Sequence, residues 1–308
     1  MKIIFIFIVL TFSLFNFAYS KDGMIKVFNP NEVSVEVSKT QSVPKEFEGL
    51  SWNRWTSKNF IVCSLDDSQA KYLHKHLELV KIWTLTRWGI TDIDFSVPCK
   101  LICVNGKDLF KKLFNIEETK VEIRRNTEGE IVETVIFLLI DGSPSQTIPV
   151  PLAEVCIAEL SQKNNQNFSP WSYKGMSNIN GTLDQIKNNI LIVKPLLDKK
   201  EFLFLSKDII EINKEQYKQM TDDKKKIYDS LSLIFCLFIR KEFGQDCYLK
   251  FLQKSTEDNP EDAIKKVLKF ENYEKFDITF KRYMIDLTND LTAGNTPDSY
   301  LQVKEKVN

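Results

Sequence analysis

The chain has 308 residues, and its 42 lysines and arginines balance its 42 aspartates and glutamates, so the formal net charge is zero. Apolar residues make up 43%, with only 10 glycines and 10 prolines, a composition that supports a globular core and excludes a mainly disordered or collagen-like chain. The balanced charge also argues against binding nucleic acid through overall positive charge.

The first segment of the chain predicts export. Residues 1–20 (MKIIFIFIVLTFSLFNFAYS) carry one early lysine, a long apolar run and small residues at Ala18 and Ser20, which suit cleavage after Ser20. A membrane anchor is the alternative, since the run is nearly long enough to span a bilayer. The cleavage pattern favours a periplasmic or secreted protein. The apolar stretch at 231–239 is too short to span hydrocarbon, so no membrane association is expected after cleavage.

The next part of the chain predicts a strand-rich half. Residues 21–50 read as an extended N-terminal segment, and residues 51–150 alternate short apolar runs with turn signals. The predicted strands in this half are 59–64, 100–104, 120–125 and 133–140. The predicted helices are 66–89 and 107–114.

A helical half follows at 151–287. Its apolar residues recur at helical spacing, and glycine or proline marks several ends. The predicted helices are 151–162, 222–243, 246–255, 259–268 and 273–287. Residues 288–308 read as a loose tail. The predicted fold class is therefore α+β.

Six cysteines occur in the chain: Cys63, Cys99, Cys103, Cys156, Cys236 and Cys247. Export places them where disulfides can form, and the lack of a CxxC pair leaves zinc-ribbon and thioredoxin readings without support. Cys99 and Cys103 on one strand are about 13 Å apart, too far for a mutual bridge. Cys236 and Cys247 flank Gly244 and could close a helix–turn–helix, with buried free thiols as the alternative.

Several short segments, in their order and spacing, resemble the gluzincin metallopeptidases, specifically the peptidase-MA-like domains of exported bacterial proteins. The matching segments are 51–63 (SWNRWTSKNFIVC), 70–78 (AKYLHKHLE), 170–177 (PWSYKGMS), 228–244 and 261–263 (EDA). The resemblance implies a zincin-like two-lobe fold. Its N-terminal lobe would hold a mixed sheet and a long helix, and its C-terminal lobe would be mostly helical.

In that family, two histidines at i and i+4 and a downstream glutamate hold zinc, and a glutamate beside the first histidine is the general base. Their positions fall here on Ala153, Ile157 and Lys174 for the ligands and on Glu154 for the base. Alanine and isoleucine cannot ligate zinc, and an ammonium would repel it. The resemblance therefore implies a pseudopeptidase that has lost its zinc. The alternative is that 151–162 is an apolar helix of an unrelated α+β protein.

Lys174 has a predicted partner. Losing a divalent cation from between acidic groups leaves their charge unbalanced in a partly buried cleft, and an ammonium restores the balance. The sequence therefore predicts an ion pair between Lys174 and Glu154. The alternative leaves Lys174 in solvent and Glu154 as an ordinary helix residue.

A cleft without a metal could still bind a ligand. The edge of the predicted sheet can add a peptide strand through main-chain hydrogen bonds. Trp171 and Tyr173 could line such a cleft, or could belong to the core, as large aromatic side chains usually do. The expected partner is a peptide or protein, and a structural role is the alternative; the oligomeric state is not predicted.

Two further functions compete with this hypothesis: a hydrolase with a non-standard site, and an unrelated exported binding domain. A hydrolase built on a Ser–His or Cys–His pair would need His74 or His76, the two histidines of the chain. On a helix these two side chains point about 200° apart, on what reads as a charged face. Catalysis there is not expected.

Overall fold

A mixed sheet occupies the first half of the chain. The computed structural model describes residues 50–90, 92–199, 206–257 and 260–301, so the predicted signal segment and nearly all of the extended segment lie outside the described residues. The strands are β1 (Asn53–Thr56), β2 (Phe60–Ser64), β3 (Cys99–Asn105), β4 (Lys120–Arg125) and β5 (Ile131–Ile140).

Helices flank the sheet and fill the second half of the described chain. They are α1 (Asp67–Arg87), α2 (Lys107–Phe114), α3 (Pro144–Thr147), α4 (Pro149–Lys163), α5 (Pro170–Asn178), α6 (Leu183–Leu191), α7 (Lys194–Asp198), α8 (Ser206–Glu211), α9 (Lys214–Lys218), α10 (Asp222–Phe243), α11 (Gln245–Glu257), α12 (Pro260–Ala263), α13 (Tyr273–Thr292) and α14 (Asp298–Leu301). The chain passes from α12 directly into a π-helical turn, Ile264–Leu268.

The strand order is β1-β2-β3-β5-β4. The three inner strands run parallel, and the two edge strands, β1 and β4, run antiparallel to their neighbours. The central strand β3 is an almost continuous apolar run, as expected for a strand covered on both faces. Within the described part of the chain, β4 has β5 as its single neighbour, so one side of β4 forms the margin of the sheet.

Two helices with clear local signals cover the sheet. The Asp66 carboxylate caps α1 by accepting from the backbone N–H groups of Ser68 and Gln69, and Gly89, with φ of 75°, follows the end of the helix. This helix packs against β1, β2 and α4. On the opposite face, Phe110 of α2 belongs to a second, smaller apolar cluster. The sheet is thus covered on both faces, and α4 lies on the same side as α1.

The helical half is built around α10. Side chains on all sides of this helix are buried between residues 230 and 240, as expected for a helix inside a core. Its neighbour α5 approaches very closely at Gly175, where an added Cβ would lie 2.3 Å from Cys236 Sγ and 2.5 Å from the Ser232 carbonyl oxygen. Only glycine permits this approach, which fixes the position of the preceding residue, Lys174.

The chain is therefore a mixed α/β protein with a five-stranded mixed sheet, as far as the described residues show. The predicted strands and most of the predicted helices recur with boundaries shifted by a few residues. Strand β1 and helices α3 and α5 to α9 are additions, and the helix predicted at 259–268 is α12 followed by the π-helical turn. The last long helix continues past 287 to Thr292 because Leu287 and Leu291 extend its buried face, and α14 follows in the segment that was predicted to be a loose tail. None of the helices that the structure describes is long and apolar enough to cross a membrane.

Candidate functional site

The helix α4 carries the positions that the family resemblance assigns to the histidine ligands. It begins one residue after α3, which follows the end of β5, and prolines 149 and 151 lie in its first turn. Ala153 and Ile157 are both fully buried in the main apolar core. Their spacing of four residues places them on one side of the helix. The helix therefore presents hydrocarbon at both positions.

The ion pair predicted between α4 and α5 is present. Lys174 Nζ lies 3.2 Å from Glu154 Oε1. The two side chains keep only 25% and 20% of their exposure, so this pair is much drier than an ordinary surface salt bridge. Each charge consequently depends on the other for the interactions that water would supply.

A second carboxylate, that of Asp229, also interacts with Lys174. Asp229 on α10 lies close enough for its charge to act on Lys174, and it accepts hydrogen bonds from the Tyr217 hydroxyl at 2.9 and 3.1 Å. Tyr173, next to the lysine, interacts with Glu154; burial and then this carboxylate raise the Tyr173 pKa well above its ordinary value. The resulting polar cluster consists of two carboxylates, one ammonium and two phenols from four helices.

Electrostatics within the polar cluster favour a charged lysine. Burial acts to lower the Lys174 pKa, but Glu154 and Asp229 outweigh it, and the net pKa is raised. Burial raises the pKa of Asp229 to about 6, against the opposing effects of Lys174 and the Tyr217 hydrogen bond. One ammonium thus has two carboxylate neighbours, of which Asp229 takes up a proton near pH 6.

This titration predicts a pH-dependent contribution to stability. The folded-state pKa of Asp229 is about 6 against an ordinary value of 3.8, so its contribution is fully present below pH 3.8 and is lost as the pH rises through 6. We expect Asp229→Asn to remove this pH-dependent contribution to stability. The free energy of unfolding of the variant, relative to the native chain, should rise by roughly 2 kcal/mol between pH 4.5 and 7.5.

Urea unfolding at the two pH values measures this difference. The exposed Asp223→Asn on the same helix is the matched control. A relative stability of Asp229→Asn that is unchanged with pH, as in the control, would show that Asp229 does not titrate in this way.

A pocket of about 170 Å³ lies beside the polar cluster, between the edge strand β4 and helix α4. Its apolar wall is formed by Ile123 of β4, by Ile157 and Ala158 of α4, and by Phe168, which lies just before α5. Its polar lining is Arg125, Ser161, Tyr173 and Lys214. One of the histidine-equivalent positions, Ile157, therefore contributes to the pocket.

The two aromatic residues considered as cleft lining have different locations. Trp171 is fully buried, with its ring centroid 5.0 Å from that of Phe235, so it lies in the core. Tyr173 lines the pocket, and Lys174 Nζ lies 5.6 Å from the centre of its ring. Trp171 and Tyr173, two residues apart on one short helix, thus lie in the core and at the pocket respectively.

The histidines lie away from this site. His74 is only 3% exposed and packs beside the Trp55 ring, so its predicted place on a charged face is wrong. The helix turns it toward the sheet because it shares a face with the apolar residues of α1. His76 is exposed, with Nδ1 2.6 Å from the Tyr72 carbonyl oxygen, so the two imidazoles do point apart.

All six cysteines are free thiols. The disulfide considered between Cys236 and Cys247 is absent because their sulfur atoms face different neighbours. Cys236 Sγ accepts from the Tyr248 hydroxyl at 3.5 Å, and Cys247 Sγ lies 3.5 Å from the Val267 carbonyl oxygen. Burial raises the pKa of Cys236 to about 12, so this thiol stays protonated at ordinary pH.

The residues at the family's ligand positions do not fit a zinc ion. Two are buried hydrocarbon, and the third, Lys174, directs an ammonium at the Glu154 carboxylate. No group of three His, Cys, Asp or Glu side chains suited to a metal occurs among the residues that the structure describes.

Comparison with known proteins adds no family assignment. No protein-family model matches the chain, and no curated protein matches it.

The sequence analysis did not predict the other polar residues of the cluster or most of the pocket lining. Asp229 and Tyr217 join the polar cluster, and Arg125 and Lys214 line the pocket. One signal was available: Asp229 is a carboxylate next to an otherwise apolar stretch of α10, a position that requires a partner. The other side chains reach the site only through tertiary packing.

Proposed function

We propose that this chain is an exported, catalytically inactive relative of the gluzincin metallopeptidases, in which the former active-site groove binds an extended peptide or protein segment. The observation that carries the proposal is the 3.2 Å contact between Lys174 Nζ and Glu154 Oε1. These residues stand at the positions of the third ligand and the general base in the family. An ammonium there supplies positive charge in place of a metal ion.

The order of elements supports the zincin-like two-lobe arrangement that is part of this proposal. An antiparallel edge strand, β4, lies beside the helix α4 that would carry the metal motif. The helix α5, which would carry the third ligand, packs on α4 and on α10 of the helical half. Helices α4 and α5 contribute both to the polar cluster and to the pocket.

The edge strand supports the peptide-binding part of the proposal. An extended ligand can pair with the margin of β4 through main-chain hydrogen bonds, and a pocket beside the strand can take one of its side chains. The pocket volume of about 170 Å³ suits one side chain rather than a whole peptide. Affinity would come from the backbone pairing, and selectivity from the pocket.

An array of immobilised twelve-residue peptides, combined with metal analysis of the purified protein, tests this function. We expect selective retention of a subset of peptides, together with substoichiometric zinc. Ala158→Phe fills the pocket and should abolish the selective retention. Leu109→Phe, an exposed position on α2 across the sheet, is the matched control and should leave it unchanged.

Two results would contradict the proposal. One is stoichiometric zinc accompanied by peptidase activity that a chelator removes, which would make the chain an active metallopeptidase. The other is uniform behaviour of the array, with no peptide retained selectively by the native chain.

A further inference from the structure

The ionised side chains in the described lining of the pocket are both cations. Arg125 stands at the end of β4 and Lys214 at the start of α9. Arg125 donates to the Gly129 carbonyl oxygen at 2.7 Å, and a second nitrogen lies 3.5 Å from the Ala158 carbonyl oxygen. Both hydrogen-bond acceptors are neutral carbonyl groups, and the charge of the Glu159 carboxylate also acts on this guanidinium.

Three carboxylates around the pocket and the polar cluster have hydrogen-bond partners of their own. Glu154 is paired with Lys174, and Asp229 accepts from Tyr217. Glu159 accepts a hydrogen bond from the Ser96 backbone N–H at 2.9 Å. Burial raises the pKa of Glu159, and Ser96 and Arg125 offset that rise only in part. Neither Arg125 nor Lys214 forms an ion pair with a carboxylate among the residues that the structure describes, so both cations can still pair with a ligand carboxylate.

The rest of the lining suits the carbon part of an acidic side chain. Ile123, Ile157, Ala158 and Phe168 offer apolar contact. A carboxylate on a short methylene chain would place its hydrocarbon against these residues and its charge at the two cations. A guanidinium can bind both carboxylate oxygens at once, and hydrogen bonds between ionised groups are roughly twice as strong as neutral ones.

We propose that this pocket receives the carboxylate of an aspartate or glutamate in an extended peptide segment that lies along β4. The inference rests on the proposed function and adds to it the chemical class of the ligand, an acidic peptide. Recognition is then strongest at low ionic strength, because part of the attraction comes from Lys214, which is exposed to solvent.

Fluorescence anisotropy with four labelled peptides tests this inference. Each peptide is a nine-residue serine–threonine host with one central guest: glutamate, glutamine, leucine or lysine. We expect the glutamate peptide to bind the native chain about tenfold more tightly than the glutamine peptide, the ratio given by a charge-assisted hydrogen bond. Arg125→Gln should reduce that ratio to less than about twofold, and Lys214→Gln should reduce it partially.

Arg124→Gln is the matched control. Arg124 is the neighbouring strand residue, on the other face of β4, where it forms an ion pair with Glu133. It should keep the preference for glutamate. Lys214 is exposed at the first position of a short helix, so its variant keeps the test available even if Arg125→Gln fails to fold.

Equal affinity of the native chain for the glutamate and glutamine peptides would overturn the inference. So would an unchanged preference in both Arg125→Gln and Lys214→Gln. The peptide array separates this failure from that of the proposed function. Selective retention without enrichment of acidic peptides overturns the acidic ligand alone, whereas an array without selective retention overturns both.

Discussion

Gly175→Ala is expected to lower the free energy of unfolding by about 3 kcal/mol, near the upper end of typical overpacking costs. The new methyl would lie 2.5 Å from the Ser232 carbonyl oxygen and 2.3 Å from Cys236 Sγ. The first of these atoms belongs to the backbone of the buried helix α10, which cannot move aside as a surface side chain can. Helices α5 and α10 must therefore separate, and urea unfolding measures the cost.

Gly181→Ala is the matched control for this prediction. A Cβ there would first meet the Gln185 side chain at 3.2 Å, so we expect a loss within about 1 kcal/mol. Equal losses for the two variants would show that the close contact between α5 and α10 is not required for stability.

Lys174→Met is expected to cost about 3 kcal/mol at pH 7.5, at the low end of the range for breaking a buried ion pair because both side chains keep some exposure. Methionine fills a similar volume but leaves Glu154 and Asp229 without a cation. Because Lys174 lowers the pKa of Asp229, removing it raises that pKa further. The loss should therefore shrink at pH 5, where Asp229 takes up a proton.

Urea unfolding of three comparison variants tests this interpretation. Lys218→Met removes an exposed lysine from an exposed pair with Glu215 and should change stability by less than about 1 kcal/mol. Adding Glu154→Gln to Lys174→Met should recover part of the loss, and Lys174→Arg should keep most of the stability. A loss for Lys174→Met that matches Lys218→Met and does not depend on pH would contradict the ion-pair account.

Local patterns predicted the strands β2 to β5 and the longer helices, but not the shorter helices α6 to α9. The cap at Asp66 and the glycines at 89 and 244 mark helix ends in the sequence and in the structure. The contact between Lys174 and Glu154 was predicted from a family resemblance together with an argument from charge balance, and the structure contains it.

Features that depend on packing between distant segments could not be predicted from sequence patterns. Arg125, Ile157 and Lys214 meet at one pocket although 89 positions separate the first from the last (214 − 125). Trp171 and Tyr173 illustrate the same limit at short range. They are two residues apart on one helix, and only the positions of α4 and α10 decide which one is buried in the core.

Under the proposed function, a metallopeptidase scaffold persists here with its ligand positions replaced. The most direct test restores them in one variant, Ala153→His with Ile157→His and Lys174→Glu, prepared with zinc present because metal binding can supply folding energy. Metal analysis after dialysis should find one zinc per chain in this variant, with none retained by the native protein or by Ala153→His alone. A folded triple variant that retains no more zinc than the native protein would contradict the claim.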